Sequence, residues 1–381
     1  MTTLYRIDQL VVDARVADTP PARRLFDRWP GDTPRIEEEV DAVVERARLR
    51  EDALTVGKRT LLVTQRKGDF LKPCQGMTER HEACCGYAIL NIVENCPMDC
   101  TYCVLQAYLD NPLVVVYANL DGLAAEIDRA IGSLGGRRRL RVGTGELGDS
   151  LALDGLTGLS LDLMRAVEPF DDVVLEFKTK TVEIENLLSV AAPRNVLVSW
   201  SLNAPRHVAA EDVGAPSLEA RLEAARRCAQ HGYRLGFHFD PIIHAPDWET
   251  EYRGAVELLF ERIDPSRIAY VSLGGLRYPA ALKPIVERRF PGSTITGGEL
   301  VRSWDGKLRY FRPIRVALYR RMVEWIGARA PDVTVYLCME SPPVWADVFG
   351  WAPRDVEEVA ERLDAACRKA ELAGGAVRAA D

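Results

Sequence analysis

Six of the nine cysteines, Cys74, Cys84, Cys85, Cys96, Cys100 and Cys103, fall between residues 74 and 103. In a chain with no other mark of a secreted scaffold, such density points to metal binding or catalysis before disulfides. The last three form Cys96-Pro-Met-Asp-Cys100-Thr-Tyr-Cys103, a C-x3-C-x2-C spacing. Three thiolates on one short loop can hold three irons of a 4Fe–4S cluster. The fourth iron is then open to an outside ligand; clusters normally take four cysteines, so a set of three is informative. A zinc site with His81, Cys84 or Cys85 as fourth ligand is the alternative. Zinc loops usually pair C-x2-C twice, and only half of that pattern is present.

The loop needs a scaffold. The chain has 381 residues, 47% hydrophobic and 28% charged. This is an ordinary globular composition, which excludes disorder, collagen-like repeats and a disulfide scaffold. Apolar runs at 88–93, 140–145, 173–179, 196–202, 235–243 and 268–274 read as strands. Helical spacing recurs between and after them at 120–131, 156–167, 182–190, 218–231, 248–263 and 280–289, with a short extended run at 114–117 inside the first crossover. Six βα units predict a parallel α/β sheet, curled by right-handed crossovers into a barrel or part of one. Residues 1–75 read as an N-terminal extension of helices and one strand, 76–295 as the barrel, and 296–381 as a C-terminal extension and candidate substrate-binding region. The longest apolar runs, such as 112–118, are too short to span a bilayer. No signal peptide is read, and a cytoplasmic protein is expected.

The cysteine spacing resembles that of radical S-adenosylmethionine (SAM) enzymes, with Tyr102 matching the aromatic usual before the last cysteine. The resemblance implies a partial (β/α)6 TIM barrel, in agreement with the six units. It also implies a cluster on Cys96, Cys100 and Cys103 whose open iron takes the amino and carboxylate groups of SAM. Reductive cleavage would give a 5′-deoxyadenosyl radical that abstracts a substrate hydrogen. Gly143-Thr-Gly145-Glu146, followed by Asp149 and Ser150, resembles the glycine–glutamate motif that holds the SAM amino group. Lys180 then falls to the SAM carboxylate, Ser201 and Asn203 to ribose or methionyl groups, and His238, sharing a strand face with Asp240, to SAM or substrate. An electron donor such as flavodoxin or ferredoxin is implied.

Within that superfamily the chain most resembles the spore photoproduct lyase group. The likeness rests on KPC at 72–74, CCGY at 84–87, VLQAYL at 104–109, YANL at 117–120, FKTK at 177–180, SWSLN at 199–203, the stretch 221–236, and GKLRY at 306–310. The group's hydrogen-donor cysteine lies just past the second strand, and a relay tyrosine follows the last cluster cysteine. Here these positions carry Glu146 or a neighbour and Val104. Thymine-dimer repair through that relay is therefore not expected, and Cys338 becomes the candidate donor. Cys74, Cys84 and Cys85 could hold a second Fe–S cluster, form a redox pair, or line the barrel mouth; Cys228 and Cys367 read as packing residues.

The net charge is −7, so any nucleic-acid contact needs a local basic stripe. One candidate runs from Arg302 through Lys307, Arg309, Arg312, Arg315 and Arg320 to Arg321, interleaved with Trp304, Tyr310 and Phe311. Basic residues among aromatics suit phosphate contact with base stacking. Arg137, Arg138 and Arg139 read as plain surface. A nucleic-acid or nucleotide substrate is the reading these features share, with nucleoside-type small-molecule biosynthesis as the alternative.

Overall fold

The computed structural model describes residues 5–74 and 82–378, with side chains to residue 370. His81 lies outside the described residues. The strands in chain order are Gln9–Asp13 (β1), Arg35–Glu37 (β2), Thr60–Thr64 (β3), Leu71–Pro73 (β4), Tyr87–Leu90 (β5), Val93–Glu94 (β6), Val114–Tyr117 (β7) and Leu140–Gly143 (β8). They continue as Val173–Thr179 (β9), Val196–Ser201 (β10), Arg234–Ile242 (β11), Ile268–Gly275 (β12), Arg277–Pro279 (β13), Val301–Arg302 (β14), Lys307–Arg309 (β15) and Thr334–Leu337 (β16).

The main sheet runs β16-β12-β11-β10-β9-β8-β5-β4. All its pairings are parallel except β4 with β5. Its central strands are nearly all apolar and buried on both faces, as a helix-covered parallel sheet requires. The six expected strands are all present, and the sheet curls as a half-barrel. Helices pack outside it. One is Leu218–Gln230, started by Ser217, whose side chain accepts from the Ala220 N–H.

Both boundaries expected at 75 and 295 are crossed by sheets. β6 and β7 leave the barrel region and complete an N-terminal sheet of order β2-β1-β3-β7-β6. The run at 114–117 is thus a strand of that sheet. At the other end, β16 joins β12 as a further parallel barrel strand. The run of three arginines is not plain surface either. Arg138 pairs with Glu357 at 2.8 Å and Arg139 with Asp364, clamping the helix Val356–Arg378 beneath the barrel. Cys228 and Cys367 are fully buried packing residues, as expected.

One polar layer fills the barrel interior. Glu176 on β9 accepts from Ser199 Oγ at 2.6 Å, bonds the His238 ring at 2.8 Å, and has Arg141 at 3.8 Å. Arg141 also donates to Tyr270 Oη at 3.1 Å and lies over the Tyr270 ring. Burial and the Lys178 charge hold His238 below its ordinary pKa. Burial alone would raise Glu176, but the His238 and Ser199 hydrogen bonds and the Arg141 charge outweigh it and hold the carboxyl at about 2.

Two outcomes follow from these buried charges. Glu176 falls from an ordinary 4.5 to about 2, so its stabilisation is complete above pH 4.5 and is lost as pH falls toward 2. A shift of that size is worth about 3 kcal/mol. Glu176→Gln is expected to flatten the dependence of the urea midpoint on pH across that window. Separately, Arg139→Ala leaves the buried Asp364 with Arg368 alone, at 3.3 Å, and is expected to cost roughly 2 kcal/mol in urea unfolding. Arg137→Ala, at an exposed position, is expected to stay within about 0.5 kcal/mol.

Candidate active site

The loop after β6 is held from several sides. Asn95, with a left-handed φ of 64°, donates its N–H to Leu147 O at 2.7 Å and its side-chain amide to Pro112 O at 2.9 Å. Gln106 Nε2 donates to Cys100 O and Thr101 O, and the Thr101 N–H to Glu211 O. Lys58, with a side chain 6% exposed, donates to Met98 O and pairs with Asp99 at 3.1 Å; Arg289 grips the same Asp99 at 2.8 Å. The Lys58 ammonium therefore lies buried beside the cysteine loop, where it offsets thiolate charge. Sequence reading missed Lys58, Asp99 and Arg289, because each partner lies far away in the chain.

Cys96, Cys100 and Cys103 line one cavity of about 260 Å³, near the lower end of the sizes that small ligands fill (about 300 Å³). Gly145, Glu146 and Asp149 after β8, Lys178 on β9 and Lys180 just after it, Ser201 on β10, Asp240 on β11, Arg277 on β13, Lys307 on β15 and Met339 after β16 share its wall. These are the C-terminal ends of the parallel strands and the small hairpin sheet above them, where chemistry sits in such barrels. Two glycines are sterically required. A Cβ on Gly143 would fall 1.8 Å from Tyr87 Oη, and one on Gly145 would meet the Lys178 Cβ at 2.6 Å.

The donor set fits the 4Fe–4S reading. Three thiols face one cavity, and among the described residues no group of three or more His, Cys, Asp or Glu is arranged around a single metal ion. Tetrahedral zinc with bonds of about 2.3 Å would need such a group. A second cluster on Cys74, Cys84 and Cys85 has no support in the structure: Cys74 lines this cavity, whereas Cys84 and Cys85 do not.

The remaining expected contacts divide. Gly145, Glu146, Ser201, Lys180 and Tyr102 reach the cavity. Lys180 is already matched: its ammonium pairs with Asp212 at 2.9 Å, donates to Tyr102 Oη at 2.6 Å, and lies 3.5 Å from Cys100 Sγ. Lys178, two residues earlier, lines the cavity with no salt-bridge partner among the described residues, a residue that sequence reading missed. Ser150, Asn203 and His238 are not on the cavity wall. Ser150 Oγ accepts from Thr144 and from the Lys178 N–H, tying β8 to β9. Asn203 spends its amide on Pro241 O, the Ala204 N–H and Tyr252 Oη. His238 does face inward on the same side as Asp240, but one layer below the cavity, against Glu176. Cys338 sits behind Arg277, whose Nη2 donates to its Sγ at 3.7 Å.

The expected basic stripe is not an open surface. Lys307 and Arg309 pair with Asp305, Arg312 with Asp347, Arg315 with Glu340, and Arg321 with Glu324, while Arg320 donates to Asp347 O. Arg302 is the exposed exception, near the exposed rings of Trp304 and Phe311. Charges already matched internally give little attraction for a phosphate backbone.

Comparison with known proteins agrees with this geometry. The family model described as spore photoproduct lyase matches residues 47–310. The spore photoproduct lyase of Geobacillus sp. is 29% identical over 225 residues, which span 57% of this chain and 64% of that protein. That of Bacillus subtilis is 26% identical over 256 residues, spanning 63% and 72%. A solved spore photoproduct lyase mutant superposes with a TM-score of 0.77 at 23% identity, covering 87% of this chain and 99% of that one. Another, complexed with dinucleoside spore photoproduct, gives 0.76 at 22% identity over the same shares. The family match encloses every residue of the cavity wall except Met339, and this chain belongs to the spore photoproduct lyase family.

Proposed function

We propose that this chain is a radical SAM enzyme acting on a nucleotide-type substrate. The observation that carries the reading is the meeting of Cys96, Cys100 and Cys103 with the Gly145–Glu146 turn in one cavity at the strand ends. When bound, the 4Fe–4S cluster and SAM supply a 5′-deoxyadenosyl radical that takes hydrogen from a substrate carbon. The three thiolates hold the cluster. Glu146 accepts from the SAM ammonium, and the bare Gly145 backbone gives it room to approach. Lys178, rather than the matched Lys180, meets an anionic group, and Ser201 meets the ribose. Lys180 and Tyr102 position the cysteine loop through Asp212.

Arg277 and Lys307 on the far wall, each already paired, with Asp240 and Asp305, suit the carbonyl edge of a nucleotide base rather than its phosphate. Solved relatives carry dinucleoside spore photoproduct, which supports a substrate of that chemical class. The matched charges between Lys307 and Arg321 favour a nucleotide-sized ligand over a long duplex. Electrons come from a one-electron carrier protein of the ferredoxin or flavodoxin class. With Glu146 or a neighbour and Val104 standing where the family places its relay, hydrogen must return from another donor. Cys338 is a candidate by position, although Arg277 screens it from the cavity.

Anaerobic reconstitution is expected to load roughly four irons per chain and to give SAM cleavage to 5′-deoxyadenosine. Cys96→Ala, Cys100→Ala or Cys103→Ala should lose both. Variants that cleave SAM as well as the wild type would end this reading. Gly145→Ala is expected to weaken SAM binding by about tenfold or more (~1.4 kcal/mol) in equilibrium dialysis with the cluster retained.

A further inference from the structure

Asp99, which lies between Cys96 and Cys100 in the cysteine loop, is shared by two cations. Lys58 Nζ stands 3.1 Å from it and Arg289 Nη2 2.8 Å. The three residues come from three parts of the chain. Lys58 follows the short helix Ala53–Gly57 just before β3, and Arg289 ends the helix Leu282–Arg289. Arg289 also donates to Thr55 Oγ1 at 2.8 Å and to Gln106 Oε1, which ties the N-terminal segment to the loop. The Lys58 and Arg289 side chains are 6% and 7% exposed, and among the described residues Asp99 is the only carboxylate that pairs with either. Two cations on one carboxylate leave one buried positive charge over.

A buried charge without a counter-charge is costly. The counter-charge has to come from nearby, and Lys58 points at the loop: it donates to Met98 O, between the first two cluster cysteines. Burial works against its ammonium, yet Cys103, Asp99 and Cys96 outweigh burial and raise its pKa. Lys58, Asp99 and Arg289 are not part of the cavity wall. They therefore bear on the loop without touching what fills the cavity. The group on Asp212 also holds two cations, but its Lys180 and Tyr102 reach that wall.

We propose that the surplus charge of the Lys58–Asp99–Arg289 group raises the reduction potential of the cluster held by this loop, with Lys58 as the residue that supplies it. The inference rests on the radical SAM reading above. One electron passes to the cluster from a carrier protein of the ferredoxin or flavodoxin class. The carrier is oxidised by that one electron, no proton moves, and the site gains one negative charge. A fixed cation beside it stabilises the more negative state over the less negative one, and burial keeps solvent and salt from screening the attraction. Net charge around a cluster is one of the levers on its potential. Lys58 comes from the N-terminal segment rather than from the barrel, so that segment is part of the redox centre and not only a cover for it.

The test is a redox titration of the full, anaerobically reconstituted chain with dithionite and mediator dyes, read by EPR in the absence of SAM. Lys58→Met is expected to keep the iron content of the wild type. Its ratio of reduced to oxidised cluster, at the wild-type midpoint, should fall about tenfold (59 mV for one electron). Lys58→Arg keeps the charge and should restore most of that loss. Arg59→Gln, at the exposed next position, should titrate as the wild type does. Asp99→Asn breaks the same contacts as Lys58→Met but removes a negative charge, so its potential should rise. Loosening of the loop alone would move both variants the same way, whereas charge moves them apart. Should Lys58→Met fail to hold a cluster, Arg289→Gln takes its place as the charge-loss variant. A wild-type chain that assembles no cluster defeats the radical SAM reading itself. A wild-type cluster whose potential stays put in the charge-loss variant and in Asp99→Asn, or shifts in the same direction in both, overturns the inference about Lys58 and leaves the radical reading standing.

Discussion

Asp212 is a fully buried carboxylate on which the cavity's geometry depends. Its oxygens pair with Lys180 from the end of β9 and with Arg221 from the helix Leu218–Gln230, at 2.9 and 2.7 Å, and Tyr102 of the cysteine loop donates to it. Burial would raise its pKa, but the two cations and the phenol hold it at about 2. Breaking such a group strands a charge in the interior, at a cost of roughly 3–5 kcal/mol. One anion thus fixes a strand end, a helix and the loop with the three thiols in register. Lys58 and Arg289 brace the same loop from its other side through Asp99. The cavity proposed for the cluster is framed by cations that are already placed and already partnered, so little reorganisation would be left for binding.

The six barrel strands could be read from the sequence because a parallel strand buried on both faces is a continuous apolar run, as 173–179 and 196–202 are. β6 and β7 were harder. They have two and four residues, and they pair with β3 and each other in a sheet that begins near residue 9. Nothing local in Val114–Tyr117 says whether it belongs to the barrel or to the layer beside it. β16 raised the reverse difficulty. Its strand character was plain, but its place beside β12 depends on the long helix Arg312–Arg329 turning the chain back.

The site divides along a similar line. Thiols at fixed short spacing on one loop, and a glycine–glutamate turn at a strand end, are local patterns, and they meet in the cavity. Charges are not local in this way. Sequence counts them, but their partners come from elsewhere in the chain. Lys307 to Arg321 read as a nucleic-acid stripe until Asp347, Glu340 and Glu324 supply the counter-charges. Arg139 read as surface until Asp364 arrives 225 residues later. The resemblance points to Lys180, yet Asp212 claims Lys180 and leaves Lys178 facing the cavity.

This asymmetry bears on how far family membership reaches. In the proposed reading the radical-generating part requires three thiols, a bare backbone turn and a cation, and Cys96, Cys100, Cys103, Gly145 and Lys178 do meet at one cavity. Hydrogen return requires only one weak X–H bond within reach of the substrate carbon, from any strand end around the mouth. A constraint that loose lets the donor move while the generator stays. The cavity mouth is ringed by side chains from β8, β9, β10, β11 and β13, so a donor can come from any of several strand ends without disturbing the loop that carries the three thiols.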